Sequence, residues 1–305
     1  FEVIHDRIKI QMKNQNPIVK FIFNRAVEVG IKRHYHGLNL IENIEYRSYT
    51  SLIRKKINKQ LGGNLRAFVS GGAALNPEIG DFFIGLGVKI LQGYGQTEAS
   101  PLISANRPEK IRIETVGPAV KGVEAKLTEE GELIVKGDCV MKGYWKDEKA
   151  TSETIIDGWL HTGDIATIAE DGFITITGRK KELIVNSGGD NIAPARPEAA
   201  LTFQETIFQS MVIGDRRPYL VAVIVPEVEK TKSLGEKEIN EIISSEVKKA
   251  NEGLSSIEKI RKFIIAKEPF STENGLLTPT MKVKRHKVFE IYGETLDDLY
   301  GSKTH

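Results

Sequence analysis

The sequence has 305 residues, enough for about two domains with sizeable cores. Hydrophobic residues make up 40% and charged residues 28%, and the formal net charge of +2 lacks the strong positive field typical of nucleic-acid binding. The single cysteine, Cys139, cannot form an internal disulfide, and no apolar run approaches the ~20 residues of a membrane-spanning helix. We therefore expect a cytoplasmic protein without a nucleic-acid partner.

Residues 1–61 are predicted to be helical. Apolar side chains recur at helical spacing at Ile18, Val19, Ile22, Phe23, Ala26 and Val27. Basic residues surround them, and a basic amphipathic helix can lie on a membrane surface. The same face can equally belong to the core, so peripheral membrane contact and core packing both remain open here.

Two strand-like runs, residues 65–69 and 88–91, each lead into a glycine-containing turn. The first turn is Ser70-Gly71-Gly72-Ala73-Ala74, with Pro77 at a helix start, and the second is Gly93-Tyr94-Gly95-Gln96-Thr97-Glu98. Alternating strand, turn and helix predicts a parallel α/β sheet. Neither turn is a Walker loop, and the second lacks the third glycine of a dinucleotide fingerprint.

The second turn combines groups that suit a nucleotide with its magnesium. Gly93 and Gly95 allow close approach of the backbone to a ligand. Thr97 can donate to a phosphate oxygen, and Glu98 can hold a hard cation. An ordinary strand-to-helix turn is the alternative interpretation.

Residues 116–177 are predicted to form a small antiparallel β unit. Its strands are expected at 124–127, 132–135, 165–168 and 173–177, separated by acidic glycine turns. The segment 158–164 is expected between these strands, with Asp164 between a glycine turn and a strand. Asp164 either accepts hydrogen bonds from a ribose diol or is a plain turn aspartate.

A domain boundary is expected at Gly178-Arg179-Lys180-Lys181. Beyond it the sequence predicts a compact α+β unit with strands at 182–186, 211–213 and 220–225 and helices at 198–202 and 236–251. Ser187-Gly188-Gly189-Asp190 reads as a polar loop. The segment 276–285 reads as a loop with three basic residues, a pattern usually typical of a solvated face.

In this order the motifs resemble those of the adenylate-forming, AMP-binding superfamily of acyl-CoA synthetases, adenylation domains and luciferases. The matching strings are Ser70-Gly71-Gly72-Ala73, Gly93-Tyr94-Gly95-Gln96-Thr97-Glu98, Gly158-Trp159-Leu160-His161-Thr162-Gly163-Asp164 and Gly178-Arg179-Lys180-Lys181-Glu182, followed by the lysine tail. Residues 187–194 and 276–280 are most similar to long-chain fatty acid:CoA ligases.

The resemblance implies an α/β fold in two domains. Residues 1–177 would be the C-terminal part of a large adenylation domain, with a parallel α/β sheet and a small antiparallel β unit. Residues 178–181 would be a hinge, and residues 182–305 a smaller, mobile α+β domain. In the family this domain rotates between the two half-reactions.

The resemblance also implies roles for individual residues. Those around the nucleotide would be Gly71, Gly72, Ala73, Gln92, Gly93 and Tyr94 at the adenine, and Asp164, Ile176 and Arg179 at the ribose. Thr97 would bind the α-phosphate and Glu98 the magnesium. Lys282 would reach the α-phosphate and the carboxylate, with Lys284 as a competitor for that role. The remaining positions would be Lys181 at the hinge and Ser187, Gly188 and Gly189 in a loop on the CoA side.

The implied reaction activates a long-chain fatty acid with ATP and Mg²⁺ and then transfers the acyl group to CoA. Two departures stand out: Met281 replaces a common glycine, and the Ser/Thr/Gly-rich loop that cradles the β- and γ-phosphates is not in the sequence. We therefore expect the C-terminal portion of a longer enzyme, with a complementing N-terminal fragment or a second copy as partner. A non-catalytic nucleotide or acyl-adenylate binding module and an acyl-[acyl-carrier-protein] ligase are the alternatives.

Overall fold

The computed structural model describes residues 1–72 and 75–301. Its backbone contacts divide the chain into two compact units, residues 1–176 and 177–305. The division falls one residue before the boundary expected from the sequence, while the hinge itself stays a prediction. The α/β fold class expected from the sequence is confirmed.

The first unit begins with three helices, α1 (Glu2–Lys13), α2 (Pro17–Tyr35) and α3 (Leu40–Gln60). Asn16 caps α2 by accepting a hydrogen bond from the Val19 amide at 2.9 Å. Asn39 and Glu42 form a capping box at the start of α3. The helical prediction for residues 1–61 is therefore confirmed, although the segment forms three separate helices, of which α2 and α3 begin at capping residues.

A three-stranded sheet follows, made of β1 (Phe68–Ser70), β2 (Ile90–Tyr94) and β3 (Ser104–Ala105), with α4 (Pro77–Gly85) between the first two strands. The strands β1 and β2 are parallel, as predicted. The predicted ends were wrong, however. β2 continues to Tyr94 because Gly93 and Tyr94 pair with β3, so Gly93 lies within a strand and not in the turn.

The helix α2 packs closely on α4. A Cβ on Gly30 would lie only 2.1 Å from the Gly85 carbonyl oxygen, so the two backbones approach as only glycine allows. Phe23, Ala26 and Val29 are buried on the same side. Of the predicted apolar face, Phe23 and Ala26 are buried, which confirms the core interpretation for them, whereas Ile18 and Val19 are exposed. Among the helices that the structure describes, none is long and apolar enough to cross a membrane.

The rest of the first unit is an antiparallel sheet, as predicted. Its elements are β4 (Val123–Leu127), β5 (Glu132–Gly137), α5 (Glu148–Thr154), β6 (Ile155–Ile156), β7 (Trp159–Ile168) and β8 (Ile174–Arg179), of which residues 177–179 are counted with the second unit. The order is β4-β5-β7-β6, with β8 also paired to β7. The segment 158–164 was predicted to lie between strands, which was largely wrong: β7 begins at Trp159 and pairs with β5 on both sides of a register shift.

The second unit is organised around one buried strand. After a 3₁₀ turn (Lys180–Glu182), its elements are β9 (Ile184–Val185), β10 (Asn191–Ile192), α6 (Ala195–Thr202), β11 (Ile207–Ile213), β12 (Leu220–Pro226), α7 (Val228–Thr231), α8 (Glu236–Glu252), β13 (Ile260–Ile265) and α9 (Arg285–Asp298). The main sheet has the order β11-β12-β13. The strand predicted at 182–186 is shorter in the structure, where only β9 is formed and the first predicted residue lies in the 3₁₀ turn.

Both faces of β12 are covered, which explains its continuous apolar sequence. Leu220, Ala222 and Ile224 belong to a core with residues of α6 and α8. The alternate residues Val221 and Val223 belong to a second core with residues of α9. The elements β13 and α9 were not predicted from the sequence.

Candidate nucleotide-binding site

The turns after β1 and β2 lie at the same edge of the parallel pair, where open α/β sheets bind ligands. Ser70 pairs with Gln92, and a Cβ on Gly71 would sit 3.5 Å from the Gly93 carbonyl oxygen. Gly72 has a φ of +83°, which favours glycine. Of the residues expected at the adenine, Ala73 lies outside the described residues.

Gln92 is buried and its amide is used by the backbone. Its Nε2 donates to the Ile113 carbonyl oxygen, and its Oε1 accepts a hydrogen bond from the Leu75 amide at 3.3 Å. The Gln92 side chain therefore holds two segments, one before β2 in sequence, at Leu75, and one after it, at Ile113. Its position in the adenine pocket remains an expectation from the resemblance.

The turn after β2 is held by a close backbone approach at Gly95. A Cβ there would lie 1.7 Å from the Pro101 carbonyl oxygen, so a larger residue would displace the chain. Thr97 begins a short 3₁₀ helix (Thr97–Ala99) and is exposed. The Gln96 side-chain nitrogen is buried without a partner in the described part of the chain. Thr97 is thus an exposed residue whose hydroxyl can donate to a phosphate oxygen.

Glu98 is oriented by Tyr144, a contact that the sequence did not predict. The Tyr144 hydroxyl donates to Glu98 Oε1 at 2.9 Å, and the Met141 amide donates to the Glu98 carbonyl oxygen at 2.8 Å. Partial burial, and then this hydrogen bond, raises the pKa of Tyr144. Within residues 1–72 and 75–301, no cluster of three or more His, Cys, Asp or Glu side chains could hold a metal. A single carboxylate such as Glu98 can hold an ion such as Mg²⁺, which keeps several waters and takes further oxygens from a substrate phosphate.

Asp164 is joined to the same region through Tyr94. It is only 4% exposed, and its Oδ2 accepts a hydrogen bond from the Tyr94 hydroxyl at 2.5 Å. Ile176 and Tyr94 both pack against the core of the antiparallel sheet. Asp164 is thus a buried strand residue facing an aromatic side chain, and the plain turn interpretation was wrong.

The remaining predicted site residues lie in the second unit. Arg179 is the last residue of β8, and Lys181 is exposed in the following 3₁₀ turn. The loop of Ser187, Gly188 and Gly189 is closed by Asn186, whose Oδ1 accepts hydrogen bonds at 2.9 Å from the amides of Gly188 and Asp190. These features define an ordered loop, but the roles expected for its residues stay predictions.

Lys282 is exposed on a tight loop. Leu277 and Val283 form an antiparallel β-bridge at the base of the loop. The Thr278 amide donates to the Lys282 carbonyl oxygen at 2.8 Å, and the Lys282 amide donates to the Thr278 hydroxyl at 3.0 Å. Met281 has a φ of +61°, in the left-handed region that favours glycine. This conformation gives a physical reason for the glycine expected from the resemblance at that position.

The segment after Lys282 is anchored by a largely buried ion pair. Arg285 Nη1 donates to Glu198 Oε1 at 2.7 Å, and Arg285 Nη2 donates to the Val212 carbonyl oxygen. The Val212 amide donates to the same Glu198 oxygen at 2.8 Å. The start of α9 is thereby tied to α6 and to the end of β11, a link that no sequence pattern indicated.

Two family models match the chain, and both describe the AMP-binding enzymes. The AMP-binding enzyme model matches residues 21–145, and the model of the AMP-binding enzyme C-terminal domain matches residues 181–304. Together these regions make up most of the sequence. The chain belongs to the AMP-binding, adenylate-forming superfamily and resembles its long-chain acyl-CoA ligases.

Among curated relatives, the long-chain-fatty-acid–CoA ligase FadD15 of Mycobacterium bovis is 39% identical over 88% of this chain and 47% of its own length. Long-chain-fatty-acid–CoA ligase 5 of Rattus norvegicus is 32% identical over 96% of this chain and 47% of its own length. The chain thus spans about half the length of these relatives.

Solved structures of adenylation domains share the fold. That of the Mycobacterium chelonae carboxylate reductase is 26% identical, with a TM-score of 0.69 over 93% of this chain and 45% of its own. The corresponding domain from Segniliparus rugosus, in complex with AMP and a co-purified carboxylic acid, is 28% identical, with a TM-score of 0.68 over 93% of this chain and 46% of its own.

Proposed function

We propose that this chain supplies the nucleotide-binding residues and the adenylation lysine of an AMP-forming long-chain fatty acid–CoA ligase. The observation that carries the proposal is the hydrogen bond from Tyr94, the last residue of β2, to Asp164, which brings this carboxylate to the strand end that leads into the Thr97-Glu98 turn. The names of the curated relatives and the AMP bound to the Segniliparus rugosus domain support it.

In the first half-reaction a fatty acid carboxylate oxygen attacks the α-phosphorus of ATP, and pyrophosphate leaves. Negative charge grows on the α-phosphate oxygens, and positioned donors stabilise it best when water is excluded. The Thr97 hydroxyl would donate to one of these oxygens, and the Lys282 ammonium would approach another. In the second half-reaction the CoA thiolate attacks the acyl carbonyl carbon, and AMP leaves.

Asp164 would bind the ribose of the nucleotide. Its carboxylate oxygens offer about four acceptor positions, so it can accept ribose hydroxyls in addition to the Tyr94 hydroxyl. Tyr94 would hold the carboxylate and present its ring to the adenine. Ile176 and Arg179 are the further ribose neighbours in this proposal, and Lys181 would be the pivot of the second unit.

A magnesium ion bound with ATP would supply positive charge next to the phosphates. Glu98 fits this ion because it is a hard oxygen ligand whose direction Tyr144 fixes. The loop of Ser187, Gly188 and Gly189 would lie on the CoA side. A non-catalytic nucleotide-binding module, the alternative expected from the sequence, is the second candidate.

The proposal is tested by calorimetric titration of the chain with AMP and with an acyl-adenylate analogue in which sulfamate replaces phosphate. We expect Asp164→Ala to weaken both by about tenfold or more, since hydrogen bonds to a charged group contribute roughly 1.5–3 kcal/mol. Asp157→Asn is the matched control, because Asp157 is exposed and its φ of +51° suits asparagine. Equal affinities for all three proteins would overturn the proposed site.

ATP–pyrophosphate exchange separates the two candidate functions. With a fatty acid present we expect very weak exchange by the 305-residue chain and clear exchange when the chain is combined with the N-terminal half of a relative. Nucleotide binding without exchange in that combination would favour the non-catalytic module. Acyl transfer to an acyl-carrier protein in place of CoA would identify the ligase of the other class.

A further inference from the structure

Glu132 is a buried carboxylate that none of the motifs includes. It begins β5, where the next three residues are buried and apolar, and it is itself only 5% exposed. Its Oε1 accepts a hydrogen bond from the Gly163 amide at 3.0 Å, and its Oε2 lies 3.3 Å from His161 Nδ1. Burying a carboxylate costs free energy unless it has such partners. Both partners of Glu132 lie in β7, so both of its carboxylate oxygens help to hold that strand.

The contacts of Glu132 fall on an irregular part of β7. Glu132 pairs with Ile165 and Ile134 pairs with His161, so the three residues 162–164 lie opposite Leu133. Extra residues of this kind form a bulge, which redirects side chains. Gly163 has a φ of +70°, the left-handed backbone that such a bulge often needs. Asp164 is the last residue of this segment.

Two further hydrogen bonds hold the bulge from within. The Thr162 hydroxyl donates to the Leu133 carbonyl oxygen at 2.6 Å and accepts from the Asp164 amide at 3.1 Å. The Gly163 amide is a further donor of the segment, and Glu132 accepts from it. Without that acceptor, the amide would lose a charge-assisted bond in a part-buried place.

We propose that Glu132 is a positioning residue for Asp164. By accepting from Gly163 and holding His161, it fixes the bulge and thereby the direction in which the Asp164 carboxylate meets Tyr94 and a ribose diol. The inference rests on the proposed nucleotide site and extends it by assigning a residue that touches no substrate. Glutamine retains the accepting oxygen and can donate to an unprotonated His161, whereas alanine removes both contacts.

The test compares the affinity for AMP with that for 2′,3′-dideoxy-AMP, which lacks both ribose hydroxyls. The proteins are the wild type, Glu132→Ala, Glu132→Gln and Asp164→Ala, with Glu124→Gln as a control on the exposed side of the same sheet. We expect the wild type and both glutamine variants to prefer AMP by about tenfold or more. Glu132→Ala and Asp164→Ala should lose most of that preference. Circular dichroism establishes that each protein is folded, and hydrogen exchange over residues 159–168 follows the bulge.

The outcomes separate the inference from the function on which it rests. A wild type without preference for AMP would remove the proposed ribose site. A wild type with the preference, and a folded Glu132→Ala that keeps it, would overturn the role of Glu132 alone. If Glu132→Ala does not fold, Glu132→Gln decides: loss of the AMP preference despite an intact accepting oxygen overturns the proposal, and retention with a protected Gly163 amide supports it.

Discussion

The ion pair between Arg285 and Glu198 allows the most direct test of how the loop that carries Lys282 is anchored. Their side chains are 26% and 21% exposed, and Arg285 also donates to the Val212 carbonyl oxygen. Replacing Arg285 by methionine preserves the aliphatic part of the side chain and leaves Glu198 with the Val212 amide as its neighbouring donor. Removing one partner of a fully buried pair costs about 3–5 kcal/mol. Because this pair is partly exposed, we expect a loss of about 2–3 kcal/mol in the free energy of unfolding of the second unit.

The assay has to report the two units separately, because a two-domain chain does not unfold in one step. Both tryptophans, Trp145 and Trp159, lie in the first unit, so tryptophan fluorescence in urea reports that unit. Hydrogen exchange of the amides of β12 reports the second. Arg285→Met should accelerate exchange in β12 by about 30- to 150-fold, from 1.4 kcal/mol per factor of ten. The fluorescence midpoint should not move.

Arg261 provides the matched control, because it is an exposed arginine on β13 of the same sheet. Arg261→Met should change the exchange rates of β12 by less than about threefold, as expected for a surface substitution. Equal effects of Arg285→Met and Arg261→Met would refute the reasoning. The ion pair would then contribute no more than an exposed arginine.

Three further predictions concern single positions. Met281→Gly should leave the second unit equally stable or stabilise it by up to about 1 kcal/mol. Glycine relieves the strain of the left-handed backbone at this position, and this gain offsets the larger entropy that glycine adds to the unfolded chain. Clearly faster hydrogen exchange of the β12 amides would contradict this prediction. Gly30→Ala should lower the melting temperature of the first unit by several degrees, since overpacking against Gly85 costs about 1–3 kcal/mol or more and exceeds the ~1 kcal/mol gain in helix propensity; an unchanged melting curve would contradict the close helix contact. Lys282→Ala, in a full-length enzyme that contains this sequence, should slow acyl-adenylate formation by about two to three orders of magnitude and affect thioester formation from preformed acyl-adenylate much less; equal losses in both half-reactions would remove the proposed role.

The sequence predicted the parts of the fold that depend on local patterns. The helical periodicity of residues 18–27, the acidic glycine turns at 129–131 and 170–172 and the amphipathic pattern of α8 all indicated correct elements. The ordered motifs were enough to indicate the superfamily. The strand ends were less well predicted, because Gly93 is kept in β2 by pairing with β3, a partner distant in sequence.

The candidate site shows the same division. Sequence patterns identified Thr97, Glu98 and Asp164 as residues with suitable chemistry, and the resemblance added Tyr94. They gave no indication that Tyr144 orients Glu98. The one sequence feature that pointed to Glu132 was a charged residue at the start of the apolar run of β5. What that residue contacts depends on the pairing of β5 with β7.

The sequence by itself determined which residue types and local conformations are available: glycine at sharp turns, capped helices, apolar runs and a loop that carries Lys282. Only the tertiary structure decided which of these groups meet. Asp164 faces Tyr94 across 70 positions of sequence, and Arg285 reaches Glu198 across 87. Such contacts depend on strand register and burial, which are fixed when distant segments pack together and are not encoded in any one segment.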